Sequence, residues 1–381
     1  MDKYEVTPGV LNIAETCAAS ISIDDLVALC EDPNVEPPLK TSTKLTYGPI
    51  RGSNALRERL ASLYSARVSS PLPTGNILIT PGAIAANFLL FYTLIGPNDH
   101  VVCVYPTYQQ LYSVPQSLGA EVSLWKLRRD KKYIPDLEEL KTLVKDNTKM
   151  IIINNPNNPT GATIPKSVLQ GLVDFARERD IIILSDEVYR PLFHSISPVD
   201  QEFPPSMISM GYSKTIITGS MSKAYSLAGI RLGWIASRDR SIIEAIATAR
   251  DYTTISVSQL DDQVASYALS GSVLHALLGR NIKLAKTNLA LLEAFVNSHS
   301  SICSWIKPTG GTTAFVEFSK NGLVVDDVQF CIDVIQKTKV MFLPGSKCFG
   351  QEFKGFVRIG FVCETEVLQE ALKKLRGFLA E

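Results

Sequence analysis

The middle of the chain alternates short apolar runs with stretches of helical periodicity, and this alternation restricts the possible folds more than any other feature. Between residues 76 and 237 the runs are apolar throughout and rich in Ile and Val, as in strands that are buried on both faces. Helices between such strands serve as crossover connections. The pattern predicts a large α/β domain with a mostly parallel sheet covered by helices. The predicted strands are residues 76–80, 100–104, 121–127, 149–154, 181–187, 214–220 and 231–237.

The remaining sequence has another pattern and predicts a second domain. A long helix is expected over residues 274–297, and from about residue 300 strands and helices are mixed, as in a compact α+β unit. A chain of 381 residues is also too long for one small core. We predict a large domain over residues 46–285 and a smaller domain formed by residues 1–45 and 286–381, with a cleft between them.

Charge and hydropathy exclude several kinds of partner. Lys plus Arg and Asp plus Glu each number 38, so the chain has no overall positive field to hold nucleic acid. No apolar run approaches the roughly 18 to 20 residues that a membrane span requires. Neither nucleic acid nor a membrane is therefore an expected partner.

The cysteines indicate a reducing compartment. The seven cysteines are odd in number, scattered, and never arranged as a CxxC pair, which argues against a disulfide framework and against a zinc site. The first residues, MDKYEVTPGVLNIAE, lack the basic and apolar regions of a secretion signal. We expect a cytoplasmic protein without a bound metal.

The segment GSMSKAYSLAGIRLGW, residues 219–234, contains the most specific local signal. A single lysine is usually a solvated surface charge. Lys223, however, is flanked by small and apolar residues, so we expect a partly enclosed amine whose desolvation favours the neutral form. A neutral lysine amine can form a Schiff base with a carbonyl compound.

Two acidic residues follow the apolar part of the predicted strand at residues 181–187, in the segment SDEVY. Asp186 and Glu187 can be read simply as the polar end of a strand. A carboxylate held at a buried strand end can instead pair with a cationic ring nitrogen and keep it protonated. Both interpretations of Asp186 are open at this point.

Two further loops follow predicted strands. The segment NNPNNPTG, residues 154–161, has ordinary turn composition, but Asn158 in such a rigid loop can also offer a fixed amide hydrogen bond. The segment TPGAIAANF, residues 80–88, predicts a turn into a helix. The backbone N–H groups of Gly82, Ala83 and Ile84 would then be available for a phosphate, although many strand-to-helix turns look similar.

These four signals, in this order, resemble those of fold-type I pyridoxal-phosphate enzymes in the class I/II aminotransferase family. The similarity extends from TYGPIRGSNALRERLA, residues 46–61, to FVRIGF, residues 356–361. It implies a pyridoxal-phosphate-dependent transferase fold, pyridoxal 5'-phosphate as cofactor and an amino acid as substrate.

The resemblance assigns catalytic roles to matching residues around the cofactor ring. Lys223 bonds covalently to the cofactor and later moves the substrate proton, and Asp186 binds the pyridine nitrogen. Asn158 and Tyr189 bind the phenolate oxygen, and Tyr108 stacks on the ring. Catalysis is thus expected to depend on Lys223, Asp186 and Tyr189.

The phosphate and the substrate have their own matching residues. The resemblance places the phosphate on Ser220, Arg231 and the amides of Gly82, Ala83 and Ile84. Arg358 matches the residue that binds the α-carboxylate of the substrate, beside Asn158; the plainer interpretation is a surface arginine at a strand end. Tyr47 matches a tyrosine that reaches the phosphate of a neighbouring subunit, which implies a homodimer with shared active sites.

Residues 10–26 depart from the family pattern. Many members carry a Gly-x-Pro turn here, whereas this chain offers Glu15 and Thr16 as substrate-binding candidates. A carboxylate beside the substrate side chain would favour a basic amino acid, unless Glu15 is only a solvated or helix-capping charge. The segment SISIDD predicts a helix start capped by Ser22 or Asp24. This region also resembles that of capreomycidine synthase-like cyclases.

Two reaction types are compatible with these motifs. The first is an aminotransferase acting on an L-amino acid, with a basic side chain as one option. The alternative is a pyridoxal-phosphate lyase or cyclase of specialised metabolism that eliminates a β- or γ-substituent from an arginine-derived or other amino acid and closes a ring. A ligand-sensing DNA-binding regulator is disfavoured because no helix-turn-helix pattern precedes Tyr47.

Overall fold

The computed structural model describes residues 7–32, 34–66 and 70–380. Within these residues the α-helices are α1 Ile23–Ala28, α2 Asn54–Ser65, α3 Gly82–Leu94, α4 Gln110–Ser117, α5 Leu137–Leu143, α6 Lys166–Glu178, α7 Arg240–Arg250, α8 Gln259–Ala268, α9 Gly271–Ser298, α10 Asp327–Thr338, α11 Gly345–Phe349 and α12 Thr365–Leu379. The strands are β1 Leu11–Asn12, β2 Ile77–Thr80, β3 His100–Tyr105, β4 Glu121–Lys126, β5 Thr148–Asn154, β6 Ile182–Asp186, β7 Thr215–Ser220, β8 Gly233–Ser237, β9 Cys303–Trp305, β10 Thr313–Lys320, β11 Leu323–Val324, β12 Val340–Met341, β13 Leu343–Pro344 and β14 Phe356–Gly360. No helix among the described residues is long and apolar enough to cross a bilayer.

The larger sheet has the strand order β2-β8-β7-β6-β5-β3-β4. Strands β3 to β7 pair in parallel, whereas β8 runs antiparallel to both β7 and β2. All strands predicted between residues 76 and 237 are present, with ends within two residues of the predicted ones. The predicted α/β class with a mostly parallel sheet is confirmed.

Burial on both faces explains the uninterrupted apolar runs of the central strands. On β5, Ile151 and Ile153 pack into one hydrophobic core, and Met150 and Ile152 pack into a second core on the opposite face. Helix α6 covers the first face, and helices α3 and α7 cover the second. On β5 the buried polar side chains, Thr148 and Asn154, therefore stand at the two strand ends.

The smaller sheet is antiparallel, with the order β11-β10-β14-β13 and with β9 paired to β10. Helix α9 contacts both α8 and α12. On this helix the buried Asn281 donates to the Ala224 carbonyl (2.9 Å), and Asn288 donates to the Phe361 carbonyl (2.8 Å). The predicted domain boundary at 285/286 falls between Asn281 and Asn288. Both this boundary and the one at 45/46 stay predictions. Residues 1–6 of the predicted small domain lie outside the described residues.

The N-terminal segment threads between the two sheets. Strand β1 pairs in parallel with β12, and the Gly360 amide then donates to the Ile13 carbonyl (2.7 Å). Farther along, the Ala18 amide donates to the Lys223 carbonyl (3.0 Å). Ser22, not Asp24, caps helix α1, and it forms a capping box with Asp25. The residues between these contacts consequently lie in the cleft of their own chain.

Candidate active site

A cavity of about 600 Å³ lies at the carboxyl ends of strands β5, β6 and β7, beneath the smaller sheet. Ligands of open α/β sheets bind at this edge. The predicted site residues that line this cavity are Glu15, Thr16, Ala83, Ile84, Tyr108, Asn158, Asp186, Tyr189, Ser220, Lys223, Arg231 and Arg358. Gly82 lies directly beside it, at the start of α3, whereas Tyr47 is 77% exposed and lies outside this lining.

Lys223 follows strand β7, and its amine contacts the N-terminal segment. Its Nζ donates to Thr16 Oγ1 (2.6 Å) and lies 3.5 Å from Cys17 Sγ. Burial lowers the pKa of the amine, but Tyr189, Cys17 and Glu15 outweigh burial, so the pKa is above its ordinary value. The sequence analysis expected desolvation to leave the amine neutral. It considered burial alone, because these three acidic neighbours are distant from Lys223 in the sequence.

Asp186 is buried at the end of β6, and two N–H groups hold its carboxylate. Oδ1 accepts from the Val188 amide (3.1 Å), and Oδ2 accepts from Asn87 Nδ2 (3.2 Å). Burial raises the pKa of this carboxyl to about 6. A cationic ring nitrogen would supply the charge partner that the buried carboxylate lacks. Glu187, in contrast, accepts hydrogen bonds from the Ser206 hydroxyl and the Met207 amide, so its role is structural.

Asn87 is a site residue that was not predicted from the sequence. It lies on α3, about one turn after the predicted phosphate-binding amides, and its Oδ1 is buried without a hydrogen-bond partner among the described residues. The only sequence signal was a polar residue inside the apolar helix segment GAIAANFLLFYTL. Such a buried amide generally requires a polar neighbour.

The asparagine-rich loop connects the two sheets. Asn154 Oδ1 accepts from the Asn158 amide (2.7 Å), and Asn154 Nδ2 donates to the Asp186 carbonyl (3.0 Å). Asn158 Oδ1 in turn accepts from Arg358 Nη1 (3.3 Å). These contacts fix Asn158 between the strand end at Asp186 and the guanidinium of Arg358. Tyr189 is buried in the same lining.

The start of α3 has the properties of an anion site. Pro81 precedes the helix and makes no side-chain capping bond, so no such bond satisfies the first N–H groups. Gly82 has φ +81°, and a Cβ there would lie 2.9 Å from Arg231 Nη2. At Gly233 a Cβ would lie 2.5 Å from the Ala83 amide nitrogen. Gly82 lets the Arg231 guanidinium approach the helix start closely, and Gly233 does the same for strand β8; a guanidinium beside free N–H groups favours a phosphate.

Hydroxyl groups complete this end of the cavity. Arg231 Nη1 donates to Ser222 Oγ (3.3 Å), and Ser220 Oγ donates to Ser222 Oγ (2.9 Å). Ser220 was predicted from the sequence but Ser222 was not, although both serines belong to the SxSK motif. An anion between the guanidinium and these hydroxyls would receive both charge and hydrogen bonds.

Arg358 is a buried guanidinium whose hydrogen-bonding partners are neutral oxygens. Nη2 donates to the Ala14 carbonyl (2.7 Å), Nη1 donates to Asn158 Oδ1, and Nε has no partner among the described residues. Burial lowers the pKa of this arginine. A buried cation without a directly bound anion is costly, so this position favours a carboxylate ligand. The interpretation of Arg358 as a surface arginine is wrong, because its side chain is buried.

Glu15 lies at the same end of the cavity as Arg358. Its Oε1 accepts from the Thr16 amide (3.1 Å) and from Cys17 Sγ (3.3 Å). Burial raises the pKa of this carboxyl, but Lys223, the bonds from Cys17 and Thr16, and Arg358 together lower it below its ordinary value. Glu15 therefore stays ionised, and it does not cap α1, because that helix starts at Ile23.

The cavity as a whole fits a phosphate-bearing pyridine aldehyde. The anion site at the start of α3 suits the phosphate, the carboxylate of Asp186 suits a protonated ring nitrogen, and the amine of Lys223 suits an aldehyde. The guanidinium of Arg358 remains for a second ligand with a carboxylate. Three of these four groups lie at the carboxyl edge of one sheet.

Comparisons with known proteins agree with this fit. The family model for aminotransferase class I and II matches residues 33–375. A solved PLP-dependent aminotransferase from Streptococcus suis has a TM-score of 0.87 and 40% identity, covering 97% of this chain and 93% of that chain. The aspartate aminotransferase of Thermotoga maritima is 30% identical over 354 residues, 91% of this chain and 88% of that protein. The capreomycidine synthase of Streptomyces vinaceus is 30% identical over 325 residues, which are 85% of this chain and 78% of that protein.

The buried carboxyl of Asp186 should make the cofactor-free protein less stable as the pH rises. Its pKa is about 6 when folded and 3.8 ordinarily, so between these values the folded state binds more protons than the unfolded state. The free energy of unfolding then falls with pH, by about 3 kcal/mol in total for this group. Asp186→Asn should remove that loss, and the cofactor-free variant should be more stable than the parent at pH 7.5 but not at pH 4.

Urea denaturation at four pH values between 4 and 7.5 measures this difference. Asp146→Asn, at an exposed surface carboxylate, is the control and should match the parent at every pH. If the free energy of unfolding changes with pH in the same way for the parent and for Asp186→Asn, the buried carboxyl does not titrate in this range.

Proposed function

Because the chain belongs to the aminotransferase class I and II family, we propose that it is an aminotransferase acting on an L-amino acid, with a basic side chain as the favoured class. The chain is a pyridoxal-phosphate-dependent enzyme of the transferase or lyase type. The observation that carries the finer proposal is the convergence of Lys223, Asp186 and Arg358 in one cavity. An amine, a buried acid and a guanidinium that binds no anion among the described residues are the groups that amino-acid chemistry on this cofactor requires.

Each end of the cavity has a proposed binding function. Pyridoxal phosphate supplies an aldehyde that bonds to amines and a cationic ring that withdraws electrons from the amino-acid Cα. Gly82, Ala83 and Ile84 hold its phosphate through their amides, together with the Ser220 hydroxyl and the Arg231 guanidinium. Ser222 joins them through its bond to Arg231.

The ring is oriented by residues of the central strands and loops. Asp186 keeps the ring nitrogen protonated, and Asn87 holds the carboxylate in place through Oδ2. Asn158 and Tyr189 bind the phenolate oxygen, and Tyr108 stacks on the ring face. Burial raises the pKa of Asp186 to about 6, and a cationic ring nitrogen beside it would lower that pKa and keep the carboxylate ionised at neutral pH.

Arg358 and Lys223 act on the substrate. Arg358 binds the α-carboxylate through its guanidinium and fixes the amino acid, with Asn158 beside it. The amine of Lys223 is the base that would take the proton from the substrate Cα. Arg358 and Asn158 would likewise bind the carboxylate of a keto-acid acceptor.

Glu15 supports a basic side chain as the substrate class. Among the described residues that line the cavity, Asp186 and Glu15 carry the carboxylates, and Glu15 remains ionised at the end near Arg358. A cationic side chain placed there would pair with Glu15, whereas an acidic one would be repelled. Glu15 and Thr16 form the substrate side of the cavity in this proposal.

A lyase or cyclase is the second candidate function. The specific observation in its favour is the 30% identity to a protein named capreomycidine synthase, over 85% of this chain. The segment around Glu15 also differs from the common family pattern. The groups around Lys223 serve proton removal from Cα in either reaction, so the two candidates differ only in the later steps.

We propose a homodimer with shared active sites. Helix α3 exposes an apolar stripe with residues one turn apart, formed by Ile84 (48% exposed), Phe88 (47%) and Tyr92 (54%). Tyr47 and Leu45 expose further apolar area. Exposed apolar patches of this kind mark protein interfaces. In the dimer, Tyr47 would reach the phosphate of the neighbouring subunit.

We also propose a cytoplasmic location. All seven cysteines lie in the described residues and none is bonded to another. Four of them, including Cys30 and Cys348, are only partly buried. Unpaired thiols of this number are typical of a reducing compartment.

A panel of L-amino acids, with and without a keto-acid acceptor, tests the main proposal. We expect turnover of arginine, ornithine or lysine that requires the acceptor, and a borohydride-trapped cofactor on Lys223 in peptide maps. Lys223→Ala should lose turnover by about 10²- to 10⁴-fold or more, because general acid–base transfer is lost. Ring or alkene products without acceptor would establish the lyase or cyclase instead, and a label on another lysine would overturn the assignment of Lys223.

Glu15→Gln should selectively weaken basic substrates. Losing the charge should raise KM for a basic amino acid by about 10-fold, equivalent to roughly 1.4 kcal/mol, and leave neutral amino acids nearly unchanged. The measurement is kcat/KM for both classes. Glu366→Gln, at an exposed carboxylate on α12, is the matched control. Equal losses for basic and neutral substrates would eliminate the proposed role of Glu15.

Phe88→Glu should disrupt the homodimer by placing a charge in the apolar stripe. Sedimentation of the parent should give twice the chain mass of 41.8 kDa, and the variant should shift toward the single-chain mass. Leu323→Glu alters an exposed leucine on β11 and should leave the mass unchanged. Tyr47→Phe should remain dimeric but bind the cofactor less tightly. A monomeric parent would contradict the shared-site proposal.

A further inference from the structure

The hydroxyl of Thr16 makes the shortest contact described for the Lys223 amine. Nζ donates to Thr16 Oγ1 at 2.6 Å, while Cys17 Sγ lies farther away at 3.5 Å. Thr16 is buried, with 7% of its surface exposed. The bond joins residues that are 207 positions apart in the chain, so it depends on the path of the N-terminal segment.

We infer that Thr16 is a positioning residue that anchors the released amine of Lys223 and directs it toward the Cα proton of the substrate. This inference rests on the proposed function, in which Lys223 moves that proton. Lys223 carries a free amine once the amino acid has displaced it from the cofactor. A free amine can donate to Thr16, so the contact is available at the stage when the amine transfers the proton.

The backbone around Thr16 is held on several sides. Thr312 Oγ1 donates to the Thr16 carbonyl (2.7 Å), and the Thr16 amide donates to Glu15 Oε1 (3.1 Å). A Cβ at Gly360 would lie 1.7 Å from the Glu15 carbonyl oxygen, so β14 presses directly against this segment. The Thr16 hydroxyl is thus a fixed acceptor rather than part of a mobile loop.

The anchor leaves the reactive part of the amine free. A neutral amine has two N–H donors and one lone pair, and a bond to Thr16 uses one donor. The lone pair remains available for a proton. After the transfer the ammonium has three donors, so it can keep the bond to Thr16 while it gives a proton to the cofactor carbon. A lysine on a flexible four-carbon stem gains a defined position from such a contact.

The neighbouring groups do not replace this anchor. Burial raises the pKa of Cys17 to about 11, so its thiol stays protonated and donates to Glu15 Oε1. Glu15 itself acts on Lys223 through its charge. Tyr189, a residue proposed to bind the phenolate oxygen, lines the same cavity as Thr16 and Lys223. This role differs from the substrate contact that the sequence predicted for Thr16.

Three substitutions separate the hydroxyl from the shape of the side chain. Thr16→Val keeps the shape but removes the hydroxyl, Thr16→Ala removes both, and Thr16→Ser keeps the hydroxyl. Thr163→Val is the matched control, because Thr163 is another buried threonine whose hydroxyl bonds to Thr309 (2.9 Å). Cofactor loading, measured by its absorbance and by borohydride trapping on Lys223, should be unchanged in all four variants.

Two measurements test the anchor. The first is exchange of the substrate Cα proton in D₂O, with the deuterium isotope effect on turnover. Thr16→Val and Thr16→Ala should slow exchange by about 10- to 100-fold and enlarge the isotope effect, as expected for a displaced catalytic group. Thr16→Ser should stay within about threefold of the parent. The second is the crystal structure of each cofactor-free variant. Lys223 Nζ should keep its position in Thr16→Ser and lose it in Thr16→Val.

The outcomes distinguish this inference from the proposed function. If the parent exchanges the Cα proton and Thr16→Val exchanges it equally fast, the anchor is overturned while the enzyme function stands. An unchanged Nζ position in Thr16→Val would overturn it as well. If the parent exchanges no amino acid of the panel, the proposed function fails and the inference fails with it. Slow exchange of the Cα proton in Thr16→Val and Thr16→Ala, together with normal exchange in Thr16→Ser, supports the anchor.

Discussion

Burial of the central strands on both faces is the constraint on which the rest of the structure depends. Since Met150 and Ile152 face one core and Ile151 and Ile153 the other, strand β5 has no surface left for chemistry. Polar residues are tolerated only where the strand ends, and there Asn154 and Asp186 lie side by side in register. The sheet thus concentrates its reactive groups at one edge, where helix α3 also begins.

The second constraint is the path of residues 13–19 between the two sheets. Backbone hydrogen bonds tie this segment to β14 on one side and to the turn with Lys223 on the other. The segment has almost no regular secondary structure, and these tertiary bonds fix its course. It brings Glu15 and Thr16 to an amine more than 200 residues away and closes the substrate end of the cavity. An open loop would hold neither the carboxylate nor the hydroxyl in place.

The sequence was sufficient for predicting the sheet and for identifying the loop residues that line the cavity at its edge, because both carry local patterns. Apolar runs indicate the strands, and the phosphate turn, the asparagine-rich loop and the SxSK motif each occupy a few adjacent residues. It was insufficient where a contact joins distant segments. Asn87 carries no local signal of its bond to Asp186, and Thr16 carries none of its bond to Lys223. The charge of Lys223 was misjudged for the same reason, since the groups that raise its pKa are distant in the chain.

The charges in the cavity support the proposal that one site serves the cofactor and the substrate in turn. Asp186 and Arg358 are both buried, and the hydrogen bonds described for their side chains all go to neutral groups. Each is an unfavourable buried charge by itself. A cofactor with a cationic ring would pair with Asp186, and a substrate with a carboxylate would pair with Arg358. Glu15 lines the same cavity and adds a negative charge, which in the proposed function would face the substrate side chain. In the proposed function, the cofactor chemistry would thus depend on groups that the sheet holds, whereas the choice of substrate would depend on the short segment that the two sheets hold between them.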